Sequence, residues 1–347
     1  MGKITRLELE NFTCFEKLDL EFSEGVNILI GVNGTGKTHI LKVLYAACAI
    51  TVGKGMGKHI SAELCSIFNP FANGLGRLAR RPIERGQTTK IKICRDNGVT
   101  LDLLFLPTSD DYYLKEHEEK GSPKWSEESL ESVYIPVKEM LAHAPGFISL
   151  NHKREISFEE VYVNVITQAY LPKLRKLTNL EYEKIFRELG KAINGEVILK
   201  GEHFFLKNEQ GELEFSLLAE GVRKLALIWL LIQNGSLNPG SILFWDEPEA
   251  NLNPSLLGLV VETLLELQRQ GVQIFLTTHN YVLLKEFDLR KKKDDAVRYI
   301  SLFREKDSEP VFSHSTDEYL AINPNAIAGT FSDLYKRDIS RALQVSQ

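Results

Sequence analysis

The run Gly31-Val32-Asn33-Gly34-Thr35-Gly36-Lys37-Thr38 constrains this chain more than any other stretch, because it fills the whole G-x-x-x-x-G-K-[ST] pattern. Its flanks fit. Val26-Asn27-Ile28-Leu29-Ile30 reads as a short apolar strand, and His39 to Ala47 as an amphipathic helix. Between them the glycines let the backbone wrap an anion, with consecutive N–H groups and the helix N-terminus pointing at it. A nucleotide is the natural guest: Lys37 reaches the β- and γ-phosphates and the Thr38 hydroxyl sits on Mg²⁺. The alternative is a glycine-rich turn that meets the pattern by chance. The order strand, loop, helix argues against it.

A second motif supports the first. Ser241-Ile242-Leu243-Phe244-Trp245-Asp246-Glu247-Pro248 places four apolar residues, as in a buried parallel strand, before two acids at its carboxyl end. Paired acids there are costly unless an ion or proton compensates them. Asp246 is expected to hold Mg²⁺ through water and Glu247 to polarise the attacking water as general base. Since strand side chains alternate, one carboxylate serves the metal and the other turns toward the γ-phosphate. Another buried strand, Val272 to Thr278, ends at His279. The two motifs lie about 200 residues apart, which excludes the compact small GTPases and nucleotide kinases.

The chain of 347 residues is 43% apolar and 26% charged, the composition of a globular protein. It has no apolar run of membrane-spanning length and opens directly into a strand, so a cytoplasmic protein is expected. Cys14, Cys48, Cys65 and Cys94 are scattered, which suggests neither a disulfide framework nor a zinc site. The net charge of -5 argues against a wholly basic nucleic-acid coat. Charge is local instead: Lys54, Lys58, Arg77, Arg80, Arg81, Arg85, Lys90, Lys92 and Arg95 form the basic stretch, to be read as a DNA-facing patch or as solvated loop.

Alternation predicts strands over residues 4–12 and 18–22, and a hairpin over 89–94 and 99–105 with Asp96-Asn97-Gly98 as its turn. From Gly53 to Gly98 apolar residues look too sparse for a continuous helix. Pro107 to Ser132 reads as a surface loop or short helix, and Ser132 to Ile135 as a strand. Helices are expected from Ser157 to Leu171 and from Glu181 to Ile193, the second stopped by Asn194-Gly195. Strands follow at 196–199, 203–206 and 213–215, then a helix buried all round from Leu225 to Ile232. A helix from Ser255 to Arg269, a closing hairpin and a last helix near Ile339 complete the chain.

An opening hairpin with Asn11-Phe12 and Phe15, an apolar strand and G-x-N-G-x-G-K-[ST] resembles the start of ABC-type ATPases of the SMC, RecF and overcoming-lysogenization-defect (OLD) group. The likeness covers residues 3–50 and 213–282, and the middle by arrangement. It implies a single ABC-type ATPase domain, α/β with a mostly parallel sheet: core 1–50 and 213–347, β-rich insertion 51–135, helical lobe 136–212. The middle is too short for a long coiled coil. ATP and Mg²⁺ are the implied cofactors. Implied contacts to the nucleotide are Gly31, Asn33, Gly34, Thr35, Gly36, Lys37, Thr38 and His39, with Thr38 and Asp246 at the metal. Lys37, Glu247 and His279 are the implied catalytic residues, His279 as the switch histidine at the γ-phosphate.

Ser216 to Lys224 resembles the family's signature segment, which meets the nucleotide of the opposite subunit. Here Ala219 stands where the family has Ser and Glu220 where it has Gly; Gly221 keeps the backbone contact, and Arg223 or Lys224 supplies charge. Glu249 to Pro254 resembles the D-loop that crosses the dimer interface, with Asn251 toward the nucleotide. Glu139 stands where the family's metal-bound Gln belongs, and reads equally as an acid at a helix start.

Two subunits are thus implied to sandwich two nucleotides. Three roles compete: the ATPase subunit of an antiphage or nucleic-acid-surveillance system, similar to OLD-like and Septu-like ATPases and controlling a separate nuclease or toxin; a RecF-like DNA repair clamp; and a nucleotide-gated scaffold with vestigial hydrolysis. OLD-type nucleases carry a TOPRIM domain with an acidic D-x-D pair after the histidine strand. Fewer than seventy residues follow His279 and that pair is missing, so a separate effector is expected.

Overall fold

A computed structural model describes residues 2–51, 59–109, 117–154, 158–175, 180–305 and 310–345. Three short runs of the sequence are apolar enough to be buried on both faces, and they become the centre of the molecule. β1 (Ile4–Phe12) and β2 (Phe15–Glu21) form the opening hairpin, and β3 (Val26–Ile30) leads to the loop before α1 (Lys37–Ala49). β3 is the middle of a six-stranded sheet in the order β14-β13-β3-β12-β11-β7. Its members are β7 (Ser132–Ile135), β11 (Ile242–Trp245), β12 (Gln273–Thr278), β13 (Val297–Phe303) and β14 (Phe312–Thr316), of which only β14 runs antiparallel.

Alternation in these strands divides two cores. Val26, Ile28, Ile30, Leu243, Trp245, Ile274 and Leu276 face the helical side, while Leu29, Ile242, Phe244 and Phe275 face α1 and the hairpin side. The second core is closed by a five-stranded antiparallel sheet, β2-β1-β4-β5-β6, with β4 (Thr89–Arg95), β5 (Thr100–Phe105) and β6 (His117–Lys120). Gln273 staples the two sheets: buried completely, it accepts from the Ile4 N–H at 2.9 Å and donates to the carbonyls of Ile4 (2.8 Å) and Ser23 (2.9 Å). A buried amide pays its way only when every donor and acceptor is met, as here.

The helical side holds α4 (Phe147–Arg154), α5 (Glu160–Ala169), α6 (Leu180–Ile193), a three-stranded sheet of β8 (Glu196–Lys200), β9 (His203–Asn208) and β10 (Gly211–Glu214), then α7 (Glu220–Gln233), α8 (Leu257–Arg269) and α9 (Tyr281–Arg290). α6 ends at Asn194 with φ 54°, the left-handed residue the sequence predicts. The last helix, α10 (Ala326–Val345), touches α9 through Phe331 stacked on Tyr281 at 4.6 Å. No helix among the described residues is long and apolar enough to cross a membrane.

Four expectations change. The glycine-rich region contains α2 (Ile60–Phe68), whose apolar residues Ile60, Leu64 and Ile67 return at helical spacing within one short segment. Pro107 to Ser132 holds the short helix given as one alternative, α3 (Ser122–Ser126), but also β6, and Trp125 of α3 is fully buried rather than on the surface, its indole N–H donating to the Ala47 carbonyl at 2.7 Å. α7 begins five residues before Leu225, so Glu220 and Gly221 lie in its first turn.

The basic stretch is not one free surface. Arg95 is buried with its guanidinium 3.8 Å from the Trp125 ring centroid, Lys92 pairs with Glu8 at 3.2 Å, Arg80 lies 3.6 Å from Glu16, and Arg77 sits over Phe71. Lys54 and Lys58 lie outside the described residues, as does Ser157.

Candidate nucleotide-binding site

The carboxyl ends of β3, β11 and β12 are neighbours in register, so the loop after β3, the acids after β11 and the histidine after β12 meet at one edge of the sheet. The loop itself is shaped by missing side chains. Gly31 passes so close to the Leu302 carbonyl of β13 that no Cβ fits, and Gly36, at φ 84°, lies against Cys14 and the Phe15 ring. Thr35 is buried and its hydroxyl donates to the Val32 carbonyl at 2.8 Å, closing the loop; Asn33 and Gly34 are exposed at its tip.

Lys37 folds back into this loop. Its ammonium donates to the carbonyls of Gly31 (2.8 Å) and Val32 (3.1 Å), and burial lowers its pKa to about 8 against the opposing pull of Glu247, Asp246 and Glu249. The next side chain, Thr38, donates to Asp246 Oδ2 at 2.9 Å. Asp246 is only 4% exposed and also receives the Thr277 hydroxyl on Oδ1 at 2.6 Å, with the Tyr134 hydroxyl 3.5 Å from Oδ2. A hydroxyl and a carboxylate at this distance are the hard oxygen donors that suit Mg²⁺, an ion that keeps waters and phosphate oxygens for its other positions.

Glu247 departs from simple alternation. β11 stops at Trp245, and Glu247 sits at φ 48° with its N–H donating to Thr277 Oγ1 at 3.0 Å. The left-handed turn, rather than the strand's pleat, aims its carboxylate, which lies 3.4 Å from His279 Nε2. Burial, helped by the nearby Lys37 charge, lowers the His279 pKa, so the imidazole is neutral at pH 7.

Sequence reading missed the residues that hold these groups. Thr277 and Thr278 point to opposite faces of β12: the first serves Asp246 and Glu247, the second donates to Glu249 Oε1 at 2.7 Å. Glu249 also accepts from the His279 N–H at 2.8 Å, and burial raises its pKa. The signal available was a polar pair closing an otherwise apolar buried strand.

Other expected residues stand elsewhere. His39 packs its ring on Phe68 at 5.5 Å, and burial lowers its pKa to about 4, so its side chain is a neutral packing group and a contact to the nucleotide is left to its backbone N–H. Gly221 approaches the Asn251 carbonyl so closely that a Cβ would lie 2.8 Å from it, which brings the signature segment and the D-loop together; Asn251 is exposed at φ 62°, and Glu220 is half-buried. Neither cation of the signature is available to a phosphate. Lys224 is 1% exposed and donates to the Ala250 carbonyl at 2.7 Å, while Arg223 Nε lies 2.7 Å from Glu139 Oε2, in ionic contact without hydrogen-bond alignment.

Glu139, completely buried in its side chain, is therefore the partner of Arg223, and burial raises its carboxyl pKa. Replacing it by Ala takes the carboxylate from the partly buried Arg223 guanidinium, which keeps its bond to the Phe215 carbonyl at 3.1 Å. The expected cost is about 3–5 kcal/mol, read as a lower midpoint of urea unfolding; an unchanged midpoint would remove the structural role and return Glu139 to the ligand.

With this geometry in place, the likeness to known proteins becomes specific. A family model described as "AAA domain, putative AbiEii toxin, Type IV TA system" matches residues 95–285, more than half of the chain. The chain belongs to this AAA-domain family. A second model, "AAA ATPase domain", matches residues 2–49, so the loop after β3 falls under one AAA model and the acids after β11 under the other.

Among curated relatives, Structural maintenance of chromosomes protein 6A of Arabidopsis thaliana is 50% identical over 46 residues, 13% of this chain and 4% of that protein. DNA replication and repair protein RecF of Bacillus mycoides (strain KBAB4) is 33% identical over 78 residues, 22% of this chain and 20% of that one. This AAA-domain protein thus spans only a small part of the curated relatives it matches. Its fold is that of SMC heads. The SMC head bound to the C-terminal winged-helix domain of ScpA superposes with TM-score 0.57 at 13% identity, over 90% of this chain and 97% of that one; a Pyrococcus yayanosii SMC head with coiled coil and joint gives 0.55 at 11%, over 92% and 98%.

Proposed function

We propose that this AAA-domain protein is a Mg²⁺-dependent ATPase switch whose two copies close around two nucleotides. The observation that carries the reading is the contact between Thr38 and Asp246, 2.9 Å, with Lys37, Glu247 and His279 gathered around it. Bound there, Mg²⁺ would draw charge from the β- and γ-phosphates. The chain's own groups do the rest. Lys37 leaves its loop carbonyls for the phosphates, the loop N–H groups hold the anion, and Asp246 keeps Thr38 in place. Glu247 accepts the proton of the attacking water, and the neutral His279, its backbone N–H held by Glu249, orients Glu247 and the γ-phosphate. Asn251, exposed, and the half-buried Glu220, with the buried Gly221 packed between signature and D-loop, would face the partner's nucleotide.

The reading extends to a role in antiphage or surveillance defence, with the switch acting on a separate nuclease or toxin effector; what supports it is that the family description names a Type IV toxin–antitoxin system. The RecF relative favours a second reading, a DNA-binding repair ATPase. Binding to duplex DNA that weakens with salt separates the two.

The test is the mass and subunit composition of the Glu247→Gln protein recovered from its host, with and without ATP and Mg²⁺. A dimer that forms or tightens with ATP, with an effector attached, is the expected result. A protein that stays monomeric, or is assembled identically without ATP, would overturn the nucleotide-driven sandwich.

A further inference from the structure

The strand order fixes which way a nucleotide lies. β12 and β11, which carry His279 and the two acids, are on one side of β3, and β13 is on the other. A triphosphate across the loop with its γ-end toward Asp246 and Glu247 must send its nucleoside the opposite way, toward β13 and the turn between β1 and β2. Three chain segments converge there. The Leu302 carbonyl lies against Gly31, Cys14 and Phe15 lie against Gly36, and Arg304, just past β13, donates from Nη2 to the Gly34 carbonyl at 3.2 Å. Arg304 is exposed, and its charge reaches Cys14, where it opposes the upward pull of burial on the thiol.

We propose that Arg304 is a nucleotide-binding residue that holds the nucleoside end of the bound ATP. This rests on the nucleotide reading above and deepens it. The planar guanidinium sits at the rim of the loop, on the side where the base and ribose emerge. Its bond to the neutral Gly34 carbonyl is one exposed contact at the loop's rim, and from there an aromatic base offers a face for stacking and a ribose offers hydroxyl acceptors. The phosphates already have the loop N–H groups and Lys37. Arg304 adds what they lack, a means of telling a nucleotide from a bare polyphosphate.

The test is calorimetric titration of wild type, Arg304→Ala and Arg304→Lys with MgATP and with magnesium tripolyphosphate. Arg304→Ala is expected to weaken ATP binding about tenfold, the scale of one charged contact, and to leave tripolyphosphate affinity unchanged. Arg304→Lys recovers only part, since the ammonium lacks the stacking plane. The thermal midpoint of each variant shows that the exposed site leaves the fold intact. Equal weakening for ATP and tripolyphosphate, or unchanged ATP affinity in Arg304→Ala, would overturn the assignment. A wild type that binds neither ligand would overturn the nucleotide reading instead, a result distinct from wild-type binding with an indifferent variant.

Discussion

ATP turnover by the Glu247→Gln protein is expected to fall about 10²- to 10⁴-fold, the contribution of a positioned general base, while ATP affinity stays within about twofold of wild type. The substitution keeps the shape, the left-handed φ of 48° and the N–H bond to Thr277, and removes only the basic lone pair. His279 remains neutral, with Nε2 3.4 Å from the carboxylate that the substitution neutralises, so any residual turnover would report on its imidazole. Single-turnover hydrolysis measured beside equilibrium binding checks this. Turnover that survives would move the base to another group; turnover absent in wild type and variant alike would favour the nucleotide-gated scaffold.

Lys37→Ala acts on binding. Truncating a buried charged partner costs about 2–5 kcal/mol, or about 30- to 4,000-fold in ATP affinity. Wild-type Lys37 also gives that affinity a pH dependence whose sign follows from its lowered pKa of about 8. The free site binds a proton on Lys37 only below about pH 8, and the phosphate-bound ammonium holds its proton well above that. Binding above pH 8 therefore takes up a proton, and Kd is expected to rise about tenfold per pH unit there and to stay flat from pH 7 to 8. Titrations in buffers of different ionisation enthalpy read the uptake directly. A flat Kd from pH 7 to 9.5, or the same slope in Lys37→Ala, would remove Lys37 from the linkage.

What the sequence made legible follows from what burial does to composition. β3, β11 and β12 announce themselves because both faces are covered, so their apolar runs are unbroken. The loop is legible because Gly31 and Gly36 are forced by the Leu302 carbonyl and the Phe15 ring, contacts that admit no Cβ. The basic stretch misled because a count of charges is blind to pairing: Arg95 lies on Trp125, an aromatic in a polar run whose indole N–H finds the Ala47 carbonyl far away in the chain. The start of α7 was hidden since Ala219 has no capping side chain and Gly221 disfavours a helix; its fit against the Asn251 carbonyl decides the matter. The division of labour between Thr277 and Thr278 needs the adjacency of β11 and β12, which no local pattern carries.

The Gln273 staple has a mechanical meaning. One amide ties the first strand of the antiparallel sheet to the chain just before β3, with three hydrogen bonds in a place no water reaches. The hairpin that walls the nucleoside side and the sheet that carries the acids are thereby welded at the end opposite the site. On the proposed closing of two subunits, strain would not be absorbed by sliding one sheet over the other. It would travel as a tilt of the welded half as one piece.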